Sequence, residues 1–499
     1  MTPHKIQRQV ERILDESRQR TLSIIVQGQP DGLAETLRRA AEAAMQRRAI
    51  TSATDLLPAP WHPGQARKAQ AAAQRQQKLK VQALKRSGAA AIAPLQAAAF
   101  IQASRLARRS DVGGQPRPLT MAGAAAMEID RDDLARLPKE LPGVLAIFPN
   151  RRVPVPPRLR AKTLPPEVER WVTHAWGLED VGALSCWGAF DARGQGAKVA
   201  VLDTGVDATH PDLQGKVVGF AEFDAKGGVL KQGPDQAWDA DGHGTHVCGT
   251  IAGGRASGRW IGMAPQAQLL VAKVLGKTGG TDEQILKGME WAVAQGAEVI
   301  NMSLGGLTFD PGVLDTYTAA MIAARAAGVP VVVAIGNDGA QTSGSPGNDF
   351  FALAVGAMDV QGRIAAFSGG RTHVVETSDA IDPRHLPLVY AKPDVAAPGV
   401  HVYSAIGKNK WEHLNGTSMA SPHVAGALAL LLSRTAAAKQ QSALLSLTGW
   451  DRSDALLQLL TGSVTDCGEN GQDHRYGHGK LSVLAAYGNA VELGYLPAA

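Results

Sequence analysis

Val199-Ala-Val-Leu202 is an unbroken apolar run that stops at Asp203-Thr204-Gly205. Three similar runs follow: Leu269-Leu-Val-Ala-Lys-Val-Leu275, Glu298-Val-Ile-Asn-Met302 and Val329-Pro-Val-Val-Val-Ala-Ile335. Helical stretches are expected at 282–295, 312–327 and 417–433. Strands that are apolar at nearly every position are buried on both faces. Their alternation with helices predicts an α/β fold in which a parallel sheet carries helices on both faces. In such sheets, reacting groups gather beyond the carboxyl ends of the strands.

Working outward, the 499 residues allow two or three domains, and 44% apolar against 19% charged residues excludes wholesale disorder. Cys186, Cys248 and Cys467 are odd in number and far apart, which excludes a disulfide framework and a Cys-x-x-Cys metal pair. No run of about 18 apolar residues marks a membrane span. The polar start lacks the apolar centre of a signal peptide. A cytoplasmic protein, or one exported without a signal peptide, is therefore expected.

The first 150 residues read differently. Thr21-Leu22-Ser23-Ile24-Ile25-Val26-Gln27 is strand-like, and Leu33, Leu37, Ala40, Ala41 and Ala44 recur at helical spacing. No acidic residue stands between Asp55 and Asp111, so a basic helical insertion is expected over about 56–118, broken near Gly88 and Pro94. Leu119 to Ile129 is expected as a strand, Asp130 as the cap of a short helix to Leu137, and Gly143 to Phe148 as a strand. This makes 1–150 a small α+β unit. Arg151 to Pro166, with five prolines, is the expected linker and domain boundary. Charge divides along the same line: residues 1–170 carry +14 and residues 171–499 carry −9.

Three stretches hold candidate chemistry. Asp203 ends the first strand, although a strand-terminal Asp is more often a turn former. In Asp241-Gly242-His243-Gly244-Thr245-His246, the glycines around His243 admit close approach by backbone or substrate. His246 is a structural candidate, and a metal reading lacks the Glu of His-Glu-x-x-His. Asn415-Gly416-Thr417-Ser418-Met419-Ala420-Ser421-Pro422 leads into an apolar helix. Proline is tolerated in a first turn, which sets the helix start near Ser418 and its N–H at the positive end of the helix dipole. Two decoys fall away. Val271 stands where a P-loop ending in Gly276-Lys277-Thr278 needs Gly, and Ala420 replaces the last Gly of Gly-x-Ser-x-Gly.

Taken together, Val201-Leu-Asp-Thr-Gly-Val206, His243-Gly-Thr-His-Val-Cys-Gly-Thr-Ile251 and Gly416-Thr-Ser-Met-Ala-Ser-Pro-His423 resemble the three catalytic blocks of the subtilisin-like serine proteases, or subtilases. Ala334-Ile335-Gly336-Asn337-Asp338-Gly339 resembles the oxyanion-hole block of that family. The resemblance implies that Ser418 is the nucleophile, His243 the base and then acid, and Asp203 the group that orients the imidazole. It implies that Asn337 donates to the oxyanion, a donor whose loss costs about 3 kcal/mol. Ser303-Leu304-Gly305-Gly306 and Gly279-Gly280 resemble the two walls that pair with an extended peptide. Gly344-Ser345-Pro346 falls where the family lines its first specificity pocket. Without an acid at those three positions, a large apolar side chain is the expected guest.

The resemblance implies no cofactor for catalysis. Gly253 to Arg259 stands in place of a longer loop that binds calcium in many relatives, so a structural calcium ion is left open there with its usual loop shortened. Cys248 is expected to be buried and inert. Residues 371–392 look inserted and have no assigned role. The N-terminal unit resembles the ferredoxin-like inhibitory prodomain of the family, with 151–174 holding the maturation site and the catalytic domain covering 175–499. The expected partners are a protein or peptide substrate and the chain's own prodomain. Two other readings remain. One is a protein binding nucleic acid or an anionic surface through the basic helices, disfavoured because Phe100 is the one aromatic residue in 65–110. The other is an inactive scaffold, which predicts a missing triad residue.

Overall fold

The computed structural model describes residues 4–28, 100–110, 114–136, 144–160, 163–307, 315–376, 384 and 386–497. The chain divides into two units, one of residues 1–150 with 375–388, the other of residues 151–374 with 389–499.

The first unit is built on four antiparallel strands: β1 (Thr21–Gly28), β2 (Arg117–Leu119), β3 (Ala124–Asp130) and β4 (Val144–Pro149), in the order β2-β3-β1-β4. Leu22, Ile24 and Val26 alternate onto one face of β1. They pack there with Met127, Ile129 and Ile147, and with Val10 and Ile13 of helix His4–Glu16 and Leu106 of helix 100–109. The single strand expected over Leu119 to Ile129 is instead the hairpin of β2 and β3. Its turn ends at Gly123, whose φ of +60° suits glycine. Asp130 caps helix Arg131–Ala135 by accepting the Asp132 N–H. The expected helix around Leu33 to Ala44 and the insertion from about 56 to 99 lie outside the described residues.

In the second unit, β5 (Arg152–Val153) and β6 (Leu159–Arg160) precede the main sheet. That sheet holds β7 (Lys198–Asp203), β8 (Val217–Phe223), β9 (Val229–Gln232), β10 (Gln268–Lys273), β12 (Val299–Met302), β14 (Val331–Ala334), β16 (Leu353–Met358) and β19 (Val395–Pro398). Smaller pairings use β11 (Gly280–Thr281), β13 (Gly306–Leu307), β15 (Gly344–Ser345), β17 (Arg371–Val375), β18 (Leu388–Lys392), β20 (Val402–Ala405) and β21 (Trp411–Asn415). The eight-stranded order is β19-β16-β14-β12-β7-β10-β8-β9, parallel throughout except for the antiparallel edge strand β9. The α/β fold read from the sequence is thus the observed one.

Alternate strand residues separate the two faces. Val199, Val201, Leu269, Val271, Val299 and Val332 join one core with helices His243–Ala252 and Thr417–Leu431. Every residue of Thr417–Leu431 is buried, as a helix apolar on all sides must be. On the other face, helix Asp282–Ala294 starts from a capping box between Thr281 and Gln284. Its Gly288 lies against Leu202 and Ala272. The helix expected at 312–327 begins only at Thr318 and runs to Ala326, since residues 316 and 317 form a turn; residues 308–314 lie outside the described residues. The insertion 371–392 is a two-stranded excursion, β17 with β18.

Candidate active site

Asp203 is the last residue of β7 and is fully buried. Its Oδ1 accepts the Thr204 N–H at 2.7 Å and stands 2.8 Å from His243 Nδ1. The carboxylate fixes the tautomer: Nδ1 carries the proton and Nε2 keeps its lone pair. Nε2 is buried without a hydrogen-bond partner. Burial alone would lower the His243 pKa, but Asp203, with Asp239 and Asp241 behind it, outweighs burial and raises it above 6.5.

His243 opens its helix, and that helix can meet the end of β7 only because residue 244 is glycine. A Cβ there would lie 2.1 Å from Gly205 O. Asp239, which the sequence reading missed, ties the two elements together. Its Oδ1 accepts from Thr204 Oγ1 at 2.7 Å, Asp241 N at 3.0 Å and Gly242 N at 2.9 Å. Its Oδ2 accepts from Thr245 N at 2.8 Å and Thr245 Oγ1 at 2.6 Å. Mostly backbone N–H groups are its partners, so residue spacing carries no signal of it.

Ser418 is the second residue of helix Thr417–Leu431 and is buried. Pro422 is the sixth residue of this helix and so lies in its second turn, not in the first turn expected from the sequence. The helix tolerates it because the Ser418 carbonyl, which loses its i+4 donor, accepts instead from Ser303 Oγ at 3.0 Å. Ser418 Oγ itself donates to Ser303 O at 3.2 Å rather than to His243. Ser303 follows β12, which runs parallel beside β7 with Met302 level with Leu202. The Asp203–His243 and Ser303–Ser418 pairs therefore stand on adjacent strand ends, about 5 Å apart in sheet spacing. Asn337 Oδ1 accepts from Thr417 N at 2.9 Å and Thr417 Oγ1 at 3.0 Å. That assigns the amide orientation and leaves its NH2 group on the side of Gly416. Two buried residues nearby are structural. Burial drives the His246 pKa down to about 3, while its Nε2 meets the Val402 and Glu412 carbonyls. Burial also pushes the Cys248 thiol well above its usual range.

Residues 151–160 run past these groups. Strand β5 pairs antiparallel with β11, Val153 opposite Gly280, and Pro154 lies by Gly306. Gly279, at φ +98°, leaves no room for a Cβ, which would sit 2.1 Å from Val153 O. Further on, Arg158 pairs with Asp241 at 3.0 Å, and β6 pairs with β21, Leu159 opposite Asn415. Gly279, Gly280 and Gly306 thus flank an extended strand, with Ser303, Leu304 and Gly305 leading into it from β12. Gly344 pairs with Leu307 through β13 and β15. Ser345 Oγ faces the guanidinium of Arg151 at 3.2 Å, a polar contact in a stretch expected to line an apolar pocket.

The loop Gly253–Arg259 does not suit a cation. The Asp212 carboxylate accepts from Ala256 N and Trp411 Nε1, both at 2.6 Å, while Arg255 and Arg259 lie over Trp260 and Tyr403. Among the described residues, no cluster of three or more His, Cys, Asp or Glu side chains could hold a metal, and no helix is long and apolar enough to cross a membrane.

Residues 194–479 match the Subtilase family. The chain is 40% identical to Subtilisin DY of Bacillus licheniformis over 53% of this chain and 87% of that one. It is 37% identical to the Major intracellular serine protease of Bacillus subtilis (strain 168), over 52% and 74% of the respective chains. With Subtilisin Savinase of Lederbergia lenta the identity is 40% over 51% and 83%.

Proposed function

The chain belongs to the subtilase family and is a subtilisin-like serine endopeptidase, and on that premise we propose that Asp203, His243 and Ser418 are its catalytic triad and that it is made as a self-inhibited zymogen. The buried 2.8 Å contact between Asp203 and His243, with Nε2 free to accept a proton, carries this reading. Ser418 Oγ leaves Ser303 O, attacks the substrate carbonyl and gives its proton to Nε2. The Ser418 N–H and the Asn337 NH2 group stabilise the oxyanion. The imidazolium, held by Asp203, then returns the proton to the departing amine and leaves an acyl-enzyme. Water, deprotonated by the same Nε2, releases the acid. No cofactor enters these steps.

The zymogen reading is supported by residues 151–160, which occupy a strand position beside Gly280 and Gly306 and then pass Asp241 and Asn415. An added strand in that position is how an extended peptide binds. In this reading residues 1–150 are the ferredoxin-like inhibitory prodomain, and the chain cuts itself within 151–174. A relative named as an intracellular protease supports an intracellular site of action. Intact mass and N-terminal sequencing of wild type and Ser418→Ala test the zymogen: wild type is expected to lose its first 150–174 residues and the variant to stay whole. A wild type that is full-length, stable and active overturns it.

A further inference from the structure

Asp282 is fully buried, and nothing in the triad chemistry uses it. Its Oδ1 accepts from Tyr317 OH at 2.6 Å, while Oδ2 accepts from Arg151 N at 3.0 Å and Arg151 Nε at 2.9 Å. The same guanidinium gives Nη2 to Asp315 Oδ1 at 2.9 Å and to Ser345 Oγ at 3.2 Å, and Ser345 Oγ also bonds Asp315. The Asp282 N–H completes the grip on the Arg151 carbonyl at 3.1 Å. Two carboxylates, a hydroxyl and a backbone N–H thus converge on one arginine, which is the residue before β5 in the strand position beside β11.

Following proposed function above, on which this rests, we propose that Asp282 and Asp315 form an arginine-accepting subsite, so that the enzyme prefers substrates carrying Arg, on the N-terminal side of the cleaved bond, where Arg151 sits. The polarity follows from the path of the chain. Arg151 comes before Pro154 at Gly306 and before Arg158 at Asp241, so the groups around His243 and Ser418 lie on its C-terminal side. A substrate adding a strand to β11 in the same register brings its own side chain to this pocket. Emptied of its guanidinium, the pocket leaves two neighbouring carboxylates without a counter-charge, a state that favours an incoming cation. The acids are spread around the planar fork, which fits Arg better than the point charge of Lys.

The test uses the wild-type chain after it has processed itself, and a fluorogenic peptide of sequence Arg-Arg-Val-Leu with its first Arg replaced in turn by citrulline, Lys and Leu. The expected kcat/KM for Arg exceeds that for citrulline and Leu by tenfold or more, and the ratio falls toward one in Asp282→Asn and Asp315→Asn. Citrulline keeps the shape and removes the charge, so the comparison within wild type holds even if a variant fails to fold. Equal rates for all four peptides overturn the subsite while leaving the protease reading intact. Binding of the same peptides to the self-processed wild type, capped at Ser418 by a serine-directed fluorophosphonate and read by fluorescence polarisation, gives a readout that needs no turnover. There the Arg peptide is expected to bind at least tenfold tighter than the citrulline peptide, and equal affinities overturn the proposal while leaving the protease reading intact.

Discussion

Replacing Asp239 with asparagine removes the acceptor that ties the start of the His243 helix to the end of β7. The oxygen that remains can serve Thr204, Asp241 and Gly242, but the new NH2 group then faces the Thr245 N–H, a donor against a donor. Hydrogen bonds to a charged group contribute about 1.5–3 kcal/mol each. At this half-buried site water softens the loss, so about 2 kcal/mol of stability is expected to go, the upper end for a lost helix cap. The kinetic effect is larger, because misplacing a catalytic group by about 1 Å costs on the order of 100-fold in rate. The assay is a urea unfolding curve beside kcat/KM on a peptide substrate. Expected are a lower midpoint at unchanged slope, and kcat/KM down about 100-fold, mostly in kcat. Unchanged stability with unchanged kcat/KM refutes the anchor. Lost stability with intact kcat/KM refutes its link to the imidazole.

Two further predictions concern protons. As general base, His243 must be neutral, and its carboxylate neighbours raise its pKa above 6.5, so kcat/KM falls with acid through a limb on the alkaline side of 6.5. Asp203→Asn is expected to move that limb to lower pH and to cut kcat about 10⁴-fold, read from a pH–rate profile. Burial raises the Asp349 pKa from 3.8 to about 6. The folded state therefore holds this proton more tightly than the unfolded chain, and the resulting stability is full below pH 3.8 and lost as pH rises through about 6. The difference in unfolding free energy between wild type and Asp349→Asn is expected to shift in favour of the variant by on the order of 3 kcal/mol between pH 3.8 and 7. A flat difference contradicts the raised pKa.

What the sequence made legible follows from what each element interacts with. Strands β7, β10, β12 and β14 were visible because burial on both faces demands apolar residues at successive positions. Strand β8, with Gly219 and Glu222 interrupting its apolar pattern, and strand β19, only four residues ending in proline, were not. Asp203, His243 and Ser418 stood out as candidates because each lies in a block whose glycines, proline or strand end constrain the backbone, whereas their roles, and Asn337 altogether, came from the resemblance of those blocks to the subtilases. Asp239 was hidden because its partners are mostly backbone N–H groups, which any residue supplies. The bond from Arg151 to Asp282 spans 131 positions of sequence, and only the fold brings its ends together. Gly123 likewise shows that one left-handed glycine is enough to turn an expected strand into a hairpin.

The most direct test of the account is covalent labelling with a serine-directed fluorophosphonate, run beside casein hydrolysis, on wild type and Ser418→Ala of equal folded content by circular dichroism. The account predicts a wild type that is labelled at Ser418 and hydrolyses casein, and a folded variant that does neither. A folded Ser418→Ala chain that still cleaves casein, or a wild type labelled at any other residue, contradicts it.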